Sequence, residues 1–462
     1  MTTSPERTTH VGSDANDPCV LIIGSGFGGY FAARRLSRLL RRTRTRIVLL
    51  SDSDGMLYAP LLPDVAVGAL DPRTVTVPTA TGLPGVQVLR GRATHVDDGA
   101  RTVCYTDPDG AAHDLEYDQL LLAVGSVTRL LDIPGLAEHA IGLKTNAEAL
   151  YLRDHVLTQL ETANAMNTRE QRRAALTFVI VGAGYAGTEL AAQMARLTDR
   201  ILARYPNIDA DDIHWLLIDV AHAVMPELGP ELGDAALALL HRRGVDVRLG
   251  TSLQAISDST ITLTDGSTLD CATVIWCAGV TANPLIDSLG LPTKRGRLIV
   301  TDTLNVPGHP RLYAIGDAAA VPDVTKPTDE HGDPPLCPPT AQHAMRQATA
   351  AARNIAASLG HGTARPYRHR DLGLVVDLGG PDAAATPIGI HLRGRVAKLV
   401  TRGYHLYALP SMNRRTRVLL DWALAASNPP DDIALGLVPP ANALITTAED
   451  HSAPTNSEHD TS

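Results

Sequence analysis

The apolar positions of this chain gather in short runs that stop at glycine. Residues 20–29 read VLIIGSGFGG and residues 179–188 read VIVGAGYAGT, with 158 positions between their first glycines. After the first phrase, apolar residues recur at helical spacing (Phe31, Leu36, Leu39). Each phrase therefore predicts a buried strand, a tight turn and a helix. TRIVLLSD follows the first helix and IHWLLIDV the second as further buried-type strands, which completes two strand–helix–strand units with glycine at the first turn.

Between these units, residues 85–125 read as short strands turning at DDGA and DPDG and ending in YDQLLLAVGS. NAEALYLRDHVLTQLETANA predicts a helix leading into the second unit, and ATVIWCAGV a later strand of it. The chain returns through GRLIVTDTLNVPGHPRLYAIGDAAAV, then the helix PTAQHAMRQATAAARNIAASL. Residues 366–425 carry short strands and an end helix around NRRTRVLLDWALAA.

The glycines carry the first chemical signal. In G-x-G-x-x-G order, Gly24, Gly26 and Gly29 enclose Phe27 and Gly28, while Gly182, Gly184 and Gly187 enclose Tyr185 and Ala186. The first glycine permits the turn, the second lets backbone approach a pyrophosphate, and the third lets helix and strand pack closely. A helix N-terminus then offers free N–H groups to phosphate. Two cradles predict two dinucleotides, a flavin and a nicotinamide, between which a hydride can pass. At the end of its strand, Asp219 would accept a ribose 2′-hydroxyl and repel a 2′-phosphate, favouring NADH over NADPH. The matching position of the first unit is Ser51, followed by Asp52, which leaves that ribose contact open.

Length and composition narrow the class. A chain of 462 residues exceeds a single ordinary core, and 44% hydrophobic with 20% charged residues is globular. A net charge of −9 gives no basic field for nucleic acid. Cys19, Cys104, Cys271, Cys277 and Cys337 form no metal-ligand or dithiol spacing, and the histidines are scattered, so no metal is expected and the setting reads as reduced and cytoplasmic. The polar first residues lack the apolar stretch of a signal peptide, and no run of about 18 apolar residues predicts a membrane span.

On further phrases the chain resembles the type II NADH dehydrogenases, the single-chain NADH:quinone oxidoreductases of the two-dinucleotide flavoprotein superfamily. They are MLYAPLLPDVAVGALDPR, IPGLAEHAIGLKTNAEAL, VGAGYAGTELA, IWCAGVTANPLI, LYAIGDAAAV and PPTAQHAMRQA, and the resemblance spans roughly residues 18–425. It implies an α/β protein of two Rossmann-like domains, the NADH domain inserted in the FAD domain, with a C-terminal α+β segment. The expected boundaries are a flexible 1–17, FAD domain 18–145, NADH domain 146–292, FAD domain again 293–365, C-terminal domain 366–430 and a disordered 431–462.

The resemblance also implies roles. Gly316 and Asp317 would meet the flavin chain, Asp317 accepting a ribityl hydroxyl; Ala123 and Gly125 would pack on the flavin and Ala93 on its adenine. Glu189 would stand near nicotinamide and flavin as the catalytic carboxylate, against the plainer reading of a solvated glutamate favoured by the helix dipole. Gly279 would line the nicotinamide side. Gln342 and Gln347 would hydrogen-bond a quinone carbonyl, with Arg346 where relatives often have an amide or acid. The implied reaction passes a hydride from NADH to FAD and two electrons to a quinone without pumping protons. A soluble acceptor, or a redox sensor that binds both cofactors, are the alternatives. LVTRGYHLYALPSMNRRTRVLLDWALAA, with Tyr404, Tyr407, Trp422 and several arginines, suggests peripheral contact with the cytoplasmic face of a membrane. A homodimer is a further possibility. Cys337, Cys271 and Cys277 read as small buried hydrophobes.

Overall fold

The computed structural model describes residues 17–428 and 432–447. The expected flexible start (1–16) and the end of the expected disordered tail (448–462) lie outside the described residues.

The first apolar run becomes Cys19–Ile23, central in a six-stranded sheet. Its order is Asn305–Val306, His309–Ala314, Gln119–Leu122, Cys19–Ile23, Arg46–Ser51, Gln87–Arg90. All neighbours are parallel except Asn305–Val306. Parallel sheets are covered on both faces, which explains unbroken apolar runs such as VLII and QLLL. Helix α1 (Phe27–Leu39) follows the first glycine turn and buries Tyr30, Ala32, Ala33 and Leu36. The 20-residue helix α2 (Asn146–Ala165) starts at a capping box of Thr145 and Glu148.

The second sheet is also parallel, in the order Ala140–Ile141, Thr273–Trp276, Thr177–Val181, His214–Asp219, Val245–Leu249. Its strand Ala140–Ile141 precedes residue 146. Helix α3 (Tyr185–Ile201) springs from the second glycine turn. In both sheets strand order reverses beside the glycine-bearing strand, where open α/β sheets bind ligands. A two-stranded antiparallel ribbon, Ser126–Thr128 against Val280–Ala282, joins the lobes.

Helix α4 (Ala341–Ser358) returns the chain to the first lobe and packs on α1. Three short antiparallel strands, Val375–Asp377, Ala383–Ala385 and Leu392–Arg393, precede helices α5 (Gly394–Ala408) and α6 (Met412–Ser427). Arg243 clips this segment to the second lobe, donating to the carbonyls of Leu378 and Gly379 and to Asp382 at 2.8 Å.

The expectation of a disordered tail from 431 is corrected over 432–447. The Asp154 carboxylate accepts the N–H groups of Leu435 and Gly436, at 3.0 and 2.7 Å. Ile445 is buried and its N–H donates to the Ala140 carbonyl. Composition read the proline and aspartate and missed the anchors of this stretch, the Asp154 carboxylate and the buried side chains of Ala443 and Ile445.

Candidate functional site

Steric contacts explain the first glycine phrase. Gly24 has φ of +97°, and a Cβ there would lie 2.4 Å from the Ala123 carbonyl oxygen. A Cβ on Gly29 would lie 1.7 Å from Gly24 O, whereas Gly26 faces open space. Gly26 caps α1 without any side-chain hydrogen bond, so the helix's first N–H groups are left for a ligand. Gly28 packs against Ile315 and Ala123, and Phe27 sets its ring edge-on to Tyr58 at 5.5 Å.

This turn opens into a cleft of about 560 Å³ at the carboxyl ends of the strands. Gly24, Ser51, Asp52, Arg92, Ala93, Ser126 and Asn283 are among its lining. Ser51 is held by Ser25, oxygen to oxygen 2.8 Å, while Asp52 pairs with Arg92 at 3.6 Å. Beyond the cleft, Asp317 accepts the Ser126 hydroxyl at 2.8 Å. Gly316, at φ +68°, donates its N–H to Gln347 Oε1 at 2.7 Å. Ala123 is buried; Gly125 has φ of +70° with open space where a side chain would be. The cradle a Cβ would fill, the uncapped helix and the cleft fit the adenine dinucleotide FAD.

The second phrase repeats the design. Gly182 has φ of +110° and abuts Cys277, a Cβ on Gly187 would lie 1.9 Å from Gly182 O, and Gly184 is open and uncapped. Asp219 accepts the N–H of Ala183 at 2.5 Å and of Ala221 at 2.8 Å, bracing the glycine loop from the strand end. Ala186 is exposed on the first turn. Gly279, at φ +81°, leads into the joining ribbon. The Tyr185 hydroxyl is buried and has no hydrogen-bond partner among the described residues. Such an orphan, beside an uncapped helix start, fits a polar ligand such as NADH.

Glu189 is buried, so the reading of it as a solvated first-turn glutamate fails. Its Oε1 accepts the backbone N–H of Asp377 at 2.7 Å. Asp377 in turn takes Lys398 Nζ and, at 2.8 Å, the Gly379 N–H. Asp64 accepts the Trp422 indole N–H at 3.0 Å. Burial holds Glu189 well above the usual carboxylate range; it also pushes Asp64 up to about 6, with Asp377 adding to it. His405, bonded to the Tyr58 hydroxyl at 3.1 Å, is pushed down to about 4 by burial. A cavity of about 320 Å³ reaches Asp64, Lys398 and Arg402, whose guanidinium sits 4.9 Å from the Trp422 ring centre.

Helix α4 separates the two glutamines expected to share one ligand. Gln342 Nε2 donates to the Gly373 carbonyl at 3.1 Å and is only partly buried. Gln347 is buried, and its amide oxygen is spent on Gly316. It is corrected here from a ligand-facing residue to a brace of the Gly316–Asp317 turn. Arg346 turns to the His369 ring and the Arg370 carbonyl.

Residues 18–352 match the pyridine nucleotide-disulphide oxidoreductase family. The chain is 32% identical over 421 residues to the Mycobacterium tuberculosis type II NADH:quinone oxidoreductase Ndh, covering 88% of this chain and 87% of that protein. It is 31% identical over 414 residues to the Synechocystis demethylphylloquinone reductase NdbB, covering 88% and 95%. The chain belongs to the type II NADH:quinone oxidoreductase family. The fold is that of NDH2 from Plasmodium falciparum, solved in complex with NADH, with a TM-score of 0.82 at 19% identity over 90% of this chain and all of that one.

The five cysteines of this type II oxidoreductase are free, and burial pushes Cys271, Cys277 and Cys337 up to about 12, far from thiolate reactivity. Among the described residues no group of three His, Cys, Asp or Glu could hold a metal. No helix among them is long and apolar enough to cross a membrane. Sequence reasoning missed Ser126, the partner of Asp317, although it directly follows Gly125. It also missed Asp64, inside a quoted phrase, and Asp377 and Lys398, which no local pattern links to Glu189.

Proposed function

We propose that this chain oxidises NADH at the second glycine turn and reduces a quinone, with FAD held along the first cleft. The carrying observation is the pair of open, uncapped helix starts, Gly26 and Gly184, each set in a turn whose flanking glycines (Gly24 and Gly29, Gly182 and Gly187) leave no room for a Cβ, and each beside the strand-order reversal of its own sheet. FAD held there would supply hydride acceptance from NADH and two-electron transfer to the quinone. The residues supply binding and orientation. The α1 and α3 N-termini hold the pyrophosphates. Asp317, oriented by Ser126, holds the flavin chain, and Ala93, Ala123, Gly125 and Gly316 let backbone approach it. Asp219 fixes the second loop and disfavours a 2′-phosphate, while Tyr185 and Gly279 border the nicotinamide. Glu189, whose burial disfavours ionisation, is the carboxyl next to the reacting rings, and Gln342 offers its amide to the quinone.

A membrane surface supplies the quinone in this reading. Val396, Leu399, Tyr407, Met412, Leu420 and Leu424 are exposed on α5 and α6, beside arginines of the same helices. Apolar side chains with flanking cations suit an interfacial position.

The test is an anaerobic titration of the purified yellow protein. NADH should bleach it, and ubiquinone or menaquinone analogues should restore the colour. Negligible quinone turnover beside rapid turnover of ferredoxin or oxygen would overturn the acceptor, and poor turnover with every acceptor would point to a redox sensor.

A further inference from the structure

We propose that the cavity between α3 and the C-terminal helices α5 and α6 binds the phosphate group of an anionic phospholipid. The inference rests on the reading of α5 and α6 as a membrane-facing surface.

The cavity holds about 320 Å³ and stands apart from both nucleotide turns: no residue of either glycine phrase lines it, nor do Glu189 and Gln342. Its wall is built at helical spacing. Gln193, Arg196, Leu197 and Arg200 fall at i, i+3, i+4 and i+7 of α3, on one face of that helix, and Lys398 and Arg402 at i and i+4 of α5. Across from them lie Trp422 and the Gly379–Gly380 turn. Gly380 has φ of +60°, and a Cβ there would lie 1.7 Å from Arg196 Nη1, so glycine at this turn makes room for the guanidinium.

The wall has more donors than partners for them. Gln193 is only 6% exposed, yet its side-chain amide bonds no described residue. Arg196 makes no hydrogen bond or ion pair with a described residue; Arg402 meets only the Trp422 ring, and its buried Nε has no partner. Arg200 gives one arm to Asp432 at 2.7 Å, and Lys398 is spent on Asp377. Asp64 is the one carboxyl in the wall, accepting the Trp422 N–H with Lys398 and Arg402 beside it. Guanidinium groups only donate, and a buried amide left unpaired is costly, so the set calls for an acceptor with several oxygens and a negative charge. Phosphate is that acceptor, and the planar guanidinium fork fits two of its oxygens at once.

The rim decides the source of the phosphate. Ala425 and Ala426, on the last turn of α6, line the cavity directly beside the exposed Leu424. A phospholipid carries its phosphate next to its acyl chains. The headgroup can therefore enter between α3 and α6 while the chains remain along the apolar side chains of α6, an arrangement free phosphate has no use for.

The experiment titrates the full-length FAD-loaded protein by calorimetry with monomeric dihexanoyl phosphatidylglycerol and, separately, with inorganic phosphate. The lipid should bind once per chain and phosphate far more weakly. Arg196→Gln and Arg402→Gln should each weaken the lipid by about 10- to 100-fold, the usual effect of losing a hydrogen bond to a charged group, and Gln193→Leu by about tenfold. Flavin content and ferricyanide turnover of Arg196→Gln should stay native, because Arg196 is exposed and lines no cofactor cleft; if Arg402→Gln sheds flavin, Arg196→Gln decides alone. The proposal is overturned if the native protein takes up no monomeric lipid, if inorganic phosphate binds as tightly as the lipid, or if Arg196→Gln binds like the native protein. Native protein that binds the monomeric lipid but does not sediment with phosphatidylglycerol vesicles would overturn the membrane-surface reading and leave the site standing, whereas sedimentation without uptake of monomeric lipid overturns the site alone.

Discussion

Glu189 and Asp377 lie 188 positions apart and share a hydrogen bond, the Asp377 backbone N–H donating to Glu189 Oε1 at 2.7 Å. The bond ties α3, which carries the second glycine turn, to the first strand of the C-terminal segment. It also fixes where the Glu189 carboxyl stands. Glutamine can accept the same N–H, so Glu189→Gln keeps the tie and removes only the proton chemistry. The expected outcome is flavin reduction by NADH slowed by roughly 10²-fold, with flavin retained. Stopped-flow traces with an unchanged reductive phase would remove Glu189 from catalysis.

Asp64 gives a prediction in stability. Its carboxyl is pushed up to about 6 from 3.8, chiefly by burial, so the folded state favours the protonated form. That contribution is complete below about pH 3.8 and is lost as pH rises through about 6. Asp64→Asn keeps an acceptor for Trp422 and has nothing to ionise. Urea melts at pH 4 and pH 7 should show the native protein losing on the order of 2–3 kcal/mol relative to the variant over that window; equal pH dependence would show that Asp64 ionises freely.

Gln342 and Gln347 should separate by function. Gln347→Ala leaves the partly buried Gly316 N–H without its acceptor, a cost of about 1 kcal/mol, and loosens the turn that carries Asp317. Flavin should be lost on gel filtration. Gln342→Ala should keep its colour and bleach normally with NADH, but turn over quinone poorly. The reverse pattern would return Gln347 to the acceptor.

How legible this was depends on the range of each interaction. Both glycine turns, their strands and their helices were readable because sterics inside six residues demand them: Gly29 must clear Gly24 O whatever the rest of the chain does. Asp317 was readable only through resemblance, since its partner Ser126 is 191 positions away. The Glu189, Asp377, Lys398 and Asp64 assembly was illegible, because its members come from four separate elements and none sits in a repeating pattern. Gln347 was misassigned because helix spacing shows which residues share a face and not whether that face meets a ligand or a glycine turn.

Asp219 braces the second loop and, in the proposed reading, meets the ribose, so Asp219→Ala should raise the KM for NADH and narrow the gap between NADH and NADPH in kcat/KM. An unchanged ratio would leave it only the bracing role shown by its bonds to Ala183 and Ala221.

The α5 and α6 surface can be tested without touching the site. Leu399 and Leu420 are exposed, so Leu399→Glu with Leu420→Glu should cost little in folding, as surface changes usually do. On a membrane the same residues would be covered, each contributing about 1.5–3 kcal/mol of apolar burial. Replacing both should therefore lower binding to anionic vesicles by more than about 100-fold in sedimentation, since each 1.4 kcal/mol is tenfold. Turnover of NADH with ferricyanide in free solution should not change, because neither residue lines the cofactor cleft. Loss of both vesicle binding and ferricyanide turnover would mean the pair supports the fold. Native protein that stays in the supernatant would mean that something other than a lipid surface covers these helices.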